Sequence, residues 1–115
     1  IYSARFAGEG ATDTANREKL LDFLADAPAD QRTARYQTVI VYMAHANDPT
    51  PIICQGTWEG VIAREERGDG GFGYDSLFHL PEYDCRAAEL DNSTKNRLSH
   101  RGKAIAALLL KLQSR

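Results

Sequence analysis

Apolar residues recur at helical spacing near both ends of the chain and crowd together in its middle. Leu20, Phe23, Leu24 and Ala27 form one stripe, which predicts a helix capped by Asp13 or Thr14 and running to about residue 27, where Pro28 stops it. Val39, Ile40, Val41, Tyr42 and Met43 are contiguous, so residues 36–46 are expected to form a strand, apolar on both faces and therefore interior. Asn47-Asp48-Pro49-Thr50-Pro51 marks a turn. A second strand over 52–58 then completes an antiparallel hairpin, and Gly60 bends the chain into a third strand over 61–65. Residues 77–80 read as a short strand ended by Pro81, 86–90 as one helical turn, and 91–98 as helix or turn. The last pattern, Ala104, Ile105, Leu108, Leu109 and Leu112, predicts a helix over 100–113 with Ser99 as its N-cap. The order defines an α/β fold: a mixed twisted sheet with a β-hairpin-rich lobe and flanking helices.

Composition narrows the class of function. The 115 residues suffice for one core, and 43% hydrophobic with 26% charged content is that of a globular domain. A formal net charge of −2 argues against binding a nucleic acid polymer, which rests on a basic surface. No apolar run approaches the length of a membrane span. Cys54 and Cys85, far apart in sequence, read as reduced thiols in a cytoplasmic setting, with a single bridge between them as the alternative. The chain starts Ile1-Tyr2-Ser3 without an initiator Met, which is expected of a piece of a longer protein.

Two stretches carry candidate chemistry. His100 and Arg101 follow the Ser99 cap, so their side chains fall in a first helical turn, beside unpaired N–H groups and the positive end of the helix dipole. That is a cluster of donors, suited to an anion or a carbonyl. Lys95 stands five residues earlier; a lone lysine is usually a solvated surface group, but a turn that folds back would add its charge to the same cluster. The second stretch is Gly68-Asp69-Gly70-Gly71-Phe72-Gly73-Tyr74-Asp75. Most glycine clusters are flexible turns, and this one lacks the Gly-Lys-Ser/Thr of a phosphate loop. An aromatic on a bare backbone is nevertheless a good platform for a flat ring, and Asp75 can accept from a sugar hydroxyl or a ring N–H. The histidines and cysteines show no metal-ligand spacing, and no group of acids resembles a hard-cation site.

Gly70-Gly71-Phe72-Gly73-Tyr74-Asp75, Ala87-Ala88-Glu89-Leu90, Lys95 and Ser99-His100-Arg101-Gly102, in that order, resemble the inosine triphosphate pyrophosphatase family. So do residues 1–8, Thr50-Pro51 and 56–60, so the resemblance spans essentially the whole chain. It implies an elongated two-lobed α/β fold, of which residues 1–115 would be the C-terminal part of a single ITPase-like domain. It also implies a homodimer and Mg²⁺-dependent hydrolysis of ITP, dITP or XTP to the monophosphate and pyrophosphate. By the same resemblance Phe72, Gly73, Tyr74 and Asp75 contact the nucleoside, Phe72 stacking on the base, and Lys95, His100 and Arg101 complete the purine pocket. The metal ligands and the general base are then expected upstream, no catalytic residue is expected within this chain, and the isolated chain is expected to be inactive. The alternative is a catalytically inactive nucleotide-binding module, or a fragment that acts only with a partner. Ser76 departs from the family, which usually carries proline there; the exchange is expected to loosen the loop's exit without removing a contact.

Overall fold

The computed structural model describes residues 6–69 and 73–114. Along the chain run α1 (Asp13–Phe23), β1 (Thr33–Tyr42), β2 (Ile52–Ile62), β3 (Phe78–Leu80), β4 (Cys85–Arg86), α2 (Asn92–Leu98) and α3 (His100–Gln113). Single 3₁₀ turns occupy Ala29–Gln31 and Ala87–Glu89. The four strands form one sheet in the order β1-β2-β3-β4, an α/β architecture as expected. β2 pairs antiparallel with β3 through Val61↔His79 and Ile62↔Phe78, and β3 with β4 through His79↔Arg86 and Leu80↔Cys85.

The chain divides into two compact units. One comprises Ile1–Ala34 with Glu59–Leu90, the other Arg35–Trp58 with Asp91–Arg115. In the first unit, Leu77, Phe78, Leu80 and Ala87 are buried around the β3–β4 corner. The guanidinium of Arg32 is buried with them: Nε donates to Ile62 O at 2.8 Å, Nη2 to Ala63 O at 3.0 Å, and Nη1 to Leu24 O. In the second unit, β2 turns Ile52, Cys54 and Trp58 inward, and α3 buries Ala104. Both cysteines are free thiols. Among the described residues no helix is long and apolar enough to cross a membrane.

Several sequence expectations need correction. α1 starts earlier and stops sooner than its stripe suggests. Thr12 is the cap, accepting from the Ala15 N–H at 3.1 Å, and the helix ends at Phe23, which stays 73% exposed. β1 covers residues 33–42, not 36–46, and it is the first strand of the sheet order rather than an interior one. Val39 and Val41 lie on its exposed face. A run of β-branched residues signals strand propensity and does not report which faces are covered. Residues after Tyr42 turn instead around Asp48, whose carboxylate accepts from the Ala44 and Thr50 N–H groups.

The expected break at Gly60 is absent: β2 runs unbroken to Ile62, so the separate strand over 61–65 does not exist. Gly60 answers a packing need. A Cβ there would stand 2.7 Å from His79 O and 2.8 Å from the Phe78 ring, so β3 and its aromatic close over a bare backbone. Residues 86–90 split between the end of β4 and the 3₁₀ turn. The α3 stripe is only partly covered, since Ile105 and Leu109 are half exposed.

Candidate functional site

Ser99 caps α3 as the local pattern requires. Its extended backbone, φ −65° and ψ 158°, turns the hydroxyl back to accept from the Gly102 N–H at 3.1 Å. The Ser99 N–H donates to Lys95 O at 2.8 Å, so the same residue ends α2 and begins α3. At the head of α2 the Asp91 carboxylate accepts from the Thr94 N–H at 2.7 Å. That bond holds the exposed carboxyl below the usual carboxylate range. Replacing Ser99 with alanine is expected to cost about 1 kcal/mol, seen as a lower urea midpoint with an unchanged slope.

His100 and Arg101 occupy the first turn of α3, and Lys95 lies in α2. The His100 ring is half-buried and stacks on Tyr36 of β1, with centroids 5.0 Å apart and planes inclined by 15°. Tyr36 in turn leans on Trp58, at 6.2 Å. The imidazole is therefore oriented by an aromatic tier that its sequence neighbours do not reveal. Arg101 is exposed at the same helix start. Lys103, two residues on, is tied to Thr57 O at 3.0 Å.

Gly73, Tyr74 and Asp75 lie together in a tight turn of the other unit, between residue 69 and β3. Phe72, the expected stacking platform, lies outside the described residues. Gly73 has φ +60°, a conformation that favours glycine. Tyr74 O accepts from the N–H groups of Leu77 and Phe78 at 2.9 and 3.0 Å, and Asp75 O from Ala88 N–H at 3.1 Å. Asp75 is buried, and burial pushes the half-buried Tyr74 phenol up, with Asp13 adding to the shift.

Three residues outside the expected set hold this turn. The Asp13 carboxylate accepts from the Gly73 N–H at 3.0 Å, so Asp13 serves the turn while Thr12 caps the helix. Arg17 donates through Nη1 to Gly73 O at 2.8 Å and through Nε to Glu66 Oε1 at 2.5 Å. Glu66 Oε1 also accepts from the Ser76 hydroxyl at 2.7 Å. The turn's exit is thus tied by a side-chain hydrogen bond, although serine lacks the covalent restraint of proline. The Ser76 hydrogen bond holds the Glu66 carboxyl below its ordinary range; burial, the next effect, opposes it, and Arg17 adds to the lowering. A lowered folded-state value means that this contact is present above the ordinary carboxylate range and is lost as pH falls through the lowered value. Arg17 and Glu66 are 49 positions apart, so no local pattern could have flagged them.

Among the described residues no group of three or more His, Cys, Asp or Glu stands close enough to hold a metal ion. The Mg²⁺ implied by the resemblance therefore finds no ligand cluster among the described residues.

These features define an α/β domain with a donor-rich helix start in one unit and a pinned glycine turn in the other. The chain belongs to the Ham1 family, whose model matches residues 1–111. It is 55% identical over 109 residues to a dITP/XTP pyrophosphatase of Photorhabdus laumondii, a match covering 95% of this chain and 55% of that protein. It is 54% identical over 113 residues to a dITP/XTP pyrophosphatase of Photobacterium profundum, covering 98% and 57%. The fold is similar to that of a Ham1 protein from Coxiella burnetii, with TM-score 0.89 and 46% identity over 99% of this chain and 58% of that one. The Ham1 protein of Staphylococcus aureus gives TM-score 0.88 and 39% identity, over 98% and 57%. The chain spans about half the length of the curated relatives it matches.

Proposed function

We propose that this chain carries the base-reading part of a nucleoside triphosphate pyrophosphatase. Its substrates are non-standard purine nucleotides (ITP, dITP and XTP), released as the monophosphate and pyrophosphate, a house-cleaning reaction. The observation that carries the proposal is the 55% identity, over 95% of the chain, to a relative named dITP/XTP pyrophosphatase. No observation favours the alternative of an inactive nucleotide-binding module or fragment.

The chemistry of the helix start supports the choice of substrate. Hypoxanthine and xanthine present a carbonyl at C6, an acceptor for donors such as His100 and Arg101. Adenine presents an amino group there, so donor would face donor, and a site built to pair a polar group rejects such an analogue strongly. Gly73, Tyr74, Asp75, Lys95, His100 and Arg101, together with Phe72, are the proposed nucleotide contacts. In this reading the roles differ: Asp75 accepts from the nucleoside, Lys95 supplies a point charge, and His100 and Arg101 read the base. Mg²⁺ and a homodimer, supported by the resemblance alone, and a cytoplasmic location, supported by the two free thiols, complete the proposal. The chain is then part of one ITPase-like domain.

The test measures pyrophosphate release by the full-length protein from dITP, XTP and dATP under identical conditions. The expected result is turnover of the first two and near-background release from dATP. Equal turnover of all three would refute the base-reading assignment. Arg101→Ala is expected to raise the Kd for ITP by about tenfold or more, the worth of one charged hydrogen bond, as titration calorimetry would show.

A further inference from the structure

The turn that carries Gly73, Tyr74 and Asp75 is held from outside by side chains that have no place among the nucleotide contacts. Arg17 reaches from the middle of α1 with two separate donors, one to the turn's entrance and one to Glu66. Glu66 receives both Arg17 and the hydroxyl at the turn's exit on a single oxygen, Oε1. Gly73 is gripped at both of its backbone polar groups, its N–H donating to Asp13 and its C=O accepting from Arg17. The Arg67 N–H adds a backbone bond to Ser76 O at 3.0 Å. The Arg17 side chain is 19% exposed and that of Glu66 38%, so the pair faces solvent on the Glu66 side, where an isolated ion pair is worth little; its weight lies in the further bonds to Gly73 and Ser76.

Position 76 explains why such a grip is needed. A proline there would fix φ near −65° and limit the residue before it, making the exit stiff by covalent geometry. Serine supplies no such restraint, and Asp75, the residue before it, is the proposed acceptor for the nucleoside. We propose that Arg17 and Glu66 are positioning residues for nucleotide recognition, replacing with a three-centre hydrogen-bonded clamp the stiffness that a proline at position 76 would give. The inference deepens the base-reading assignment and rests on it for its functional consequence.

The clamp has a stated division of labour. Glu66 ties the exit through Ser76, Arg17 couples the exit to the entrance, and α1 is the rigid element to which both are anchored. A lysine at position 17 cannot replace the arginine, because one ammonium on a flexible stem does not reproduce two donors set in a planar fork.

The experiment compares wild type, Arg17→Lys, Glu66→Ala, Ser76→Pro and the double variant Glu66→Ala with Ser76→Pro. Amide hydrogen exchange of the ligand-free protein is read at Gly73 and Arg67, and ITP affinity is read by calorimetry. Glu66→Ala and Arg17→Lys are expected to speed exchange at these amides and to weaken ITP binding, each by about tenfold. The proline in the double variant is expected to restore both towards wild type, which a merely structural loss elsewhere would not do. Exchange and affinity unchanged in Glu66→Ala, or a double variant as loose as Glu66→Ala, overturn the proposal. Exchange separates the two claims. If wild type binds no ITP while the exchange pattern follows expectation, the base-reading assignment fails and the clamp stands. If ITP binds and the clamp variants match wild type, the clamp fails and the assignment stands.

Discussion

Gly102→Ala is expected to destabilise the protein by about 3 kcal/mol or more, at the top of the range for overpacking. A Cβ at this position would stand 1.5 Å from Asn96 O and 2.7 Å from Asn96 C. Both atoms belong to the backbone of α2, so no side-chain rotation can make room. Relief requires the axes of α2 and α3 to part at Ser99, whose N–H is bound to Lys95 O of α2 at 2.8 Å and whose carbonyl accepts from Lys103 N–H of α3 at 3.0 Å. The proposed base-reading pair, His100 and Arg101, directly precedes the glycine, so ITP affinity should fall with stability. A urea titration checks the first claim and calorimetry the second. A midpoint equal to that of wild type would show that the two helices separate without cost. Ser99→Ala offers the scale, because it removes a cap without forcing a clash.

Arg32→Ala is expected to cost about 3 kcal/mol, because it strips donors from the buried Ile62 carbonyl and the part-buried carbonyls of Leu24 and Ala63. Arg32 is 4% exposed, and its guanidinium spans Leu24, Ile62 and Ala63. The backbone adds a reciprocal bond, Ile62 N–H to Arg32 O at 2.7 Å. Burial, with Arg64 nearby, lowers the guanidinium's pKa from an ordinary value so high that the group keeps its charge at neutral pH. The charge is therefore solvated by peptide dipoles instead of water. Arg32→Met separates the two possible origins of the loss, since it keeps most of the stem's volume and removes every donor. It is expected to be nearly as damaging as Arg32→Ala. A methionine variant as stable as wild type, by guanidinium titration, would show that only packing mattered. Because Ile62 and Ala63 lead directly to the Glu66 segment, both variants should also loosen the turn at Gly73.

These two sites show unequal legibility. Gly102 stood inside the family-like motif, yet its reason is the carbonyl of Asn96, six positions away on another helix. Arg32 sat in a polar stretch with nothing to mark it, and its partners come from 8 to 31 positions away. By contrast Ser99 was readable at once, because a cap needs only its own hydroxyl and the next N–H groups. Phe78 and Leu80 were readable as a strand because β-propensity and a following proline act locally. The sequence of Val39 and Val41 signals a strand but not its exposure, since coverage of a face depends on what the rest of the molecule lays over it.

Short-range chemistry was thus enough for the α/β class, the last helix and its donor-rich start, the glycine turn, and the family those motifs resemble. Hydrogen bonds and propensities that act within a few residues leave their mark in the order of the amino acids. The unbroken β2, the edge position of β1, the Tyr36 ring beneath His100 and the grip of Arg17 and Glu66 on the turn belong to the folded molecule alone. Each is a contact between groups distant in sequence, and only packing brings such groups within the few ångströms at which dispersion and hydrogen bonding act.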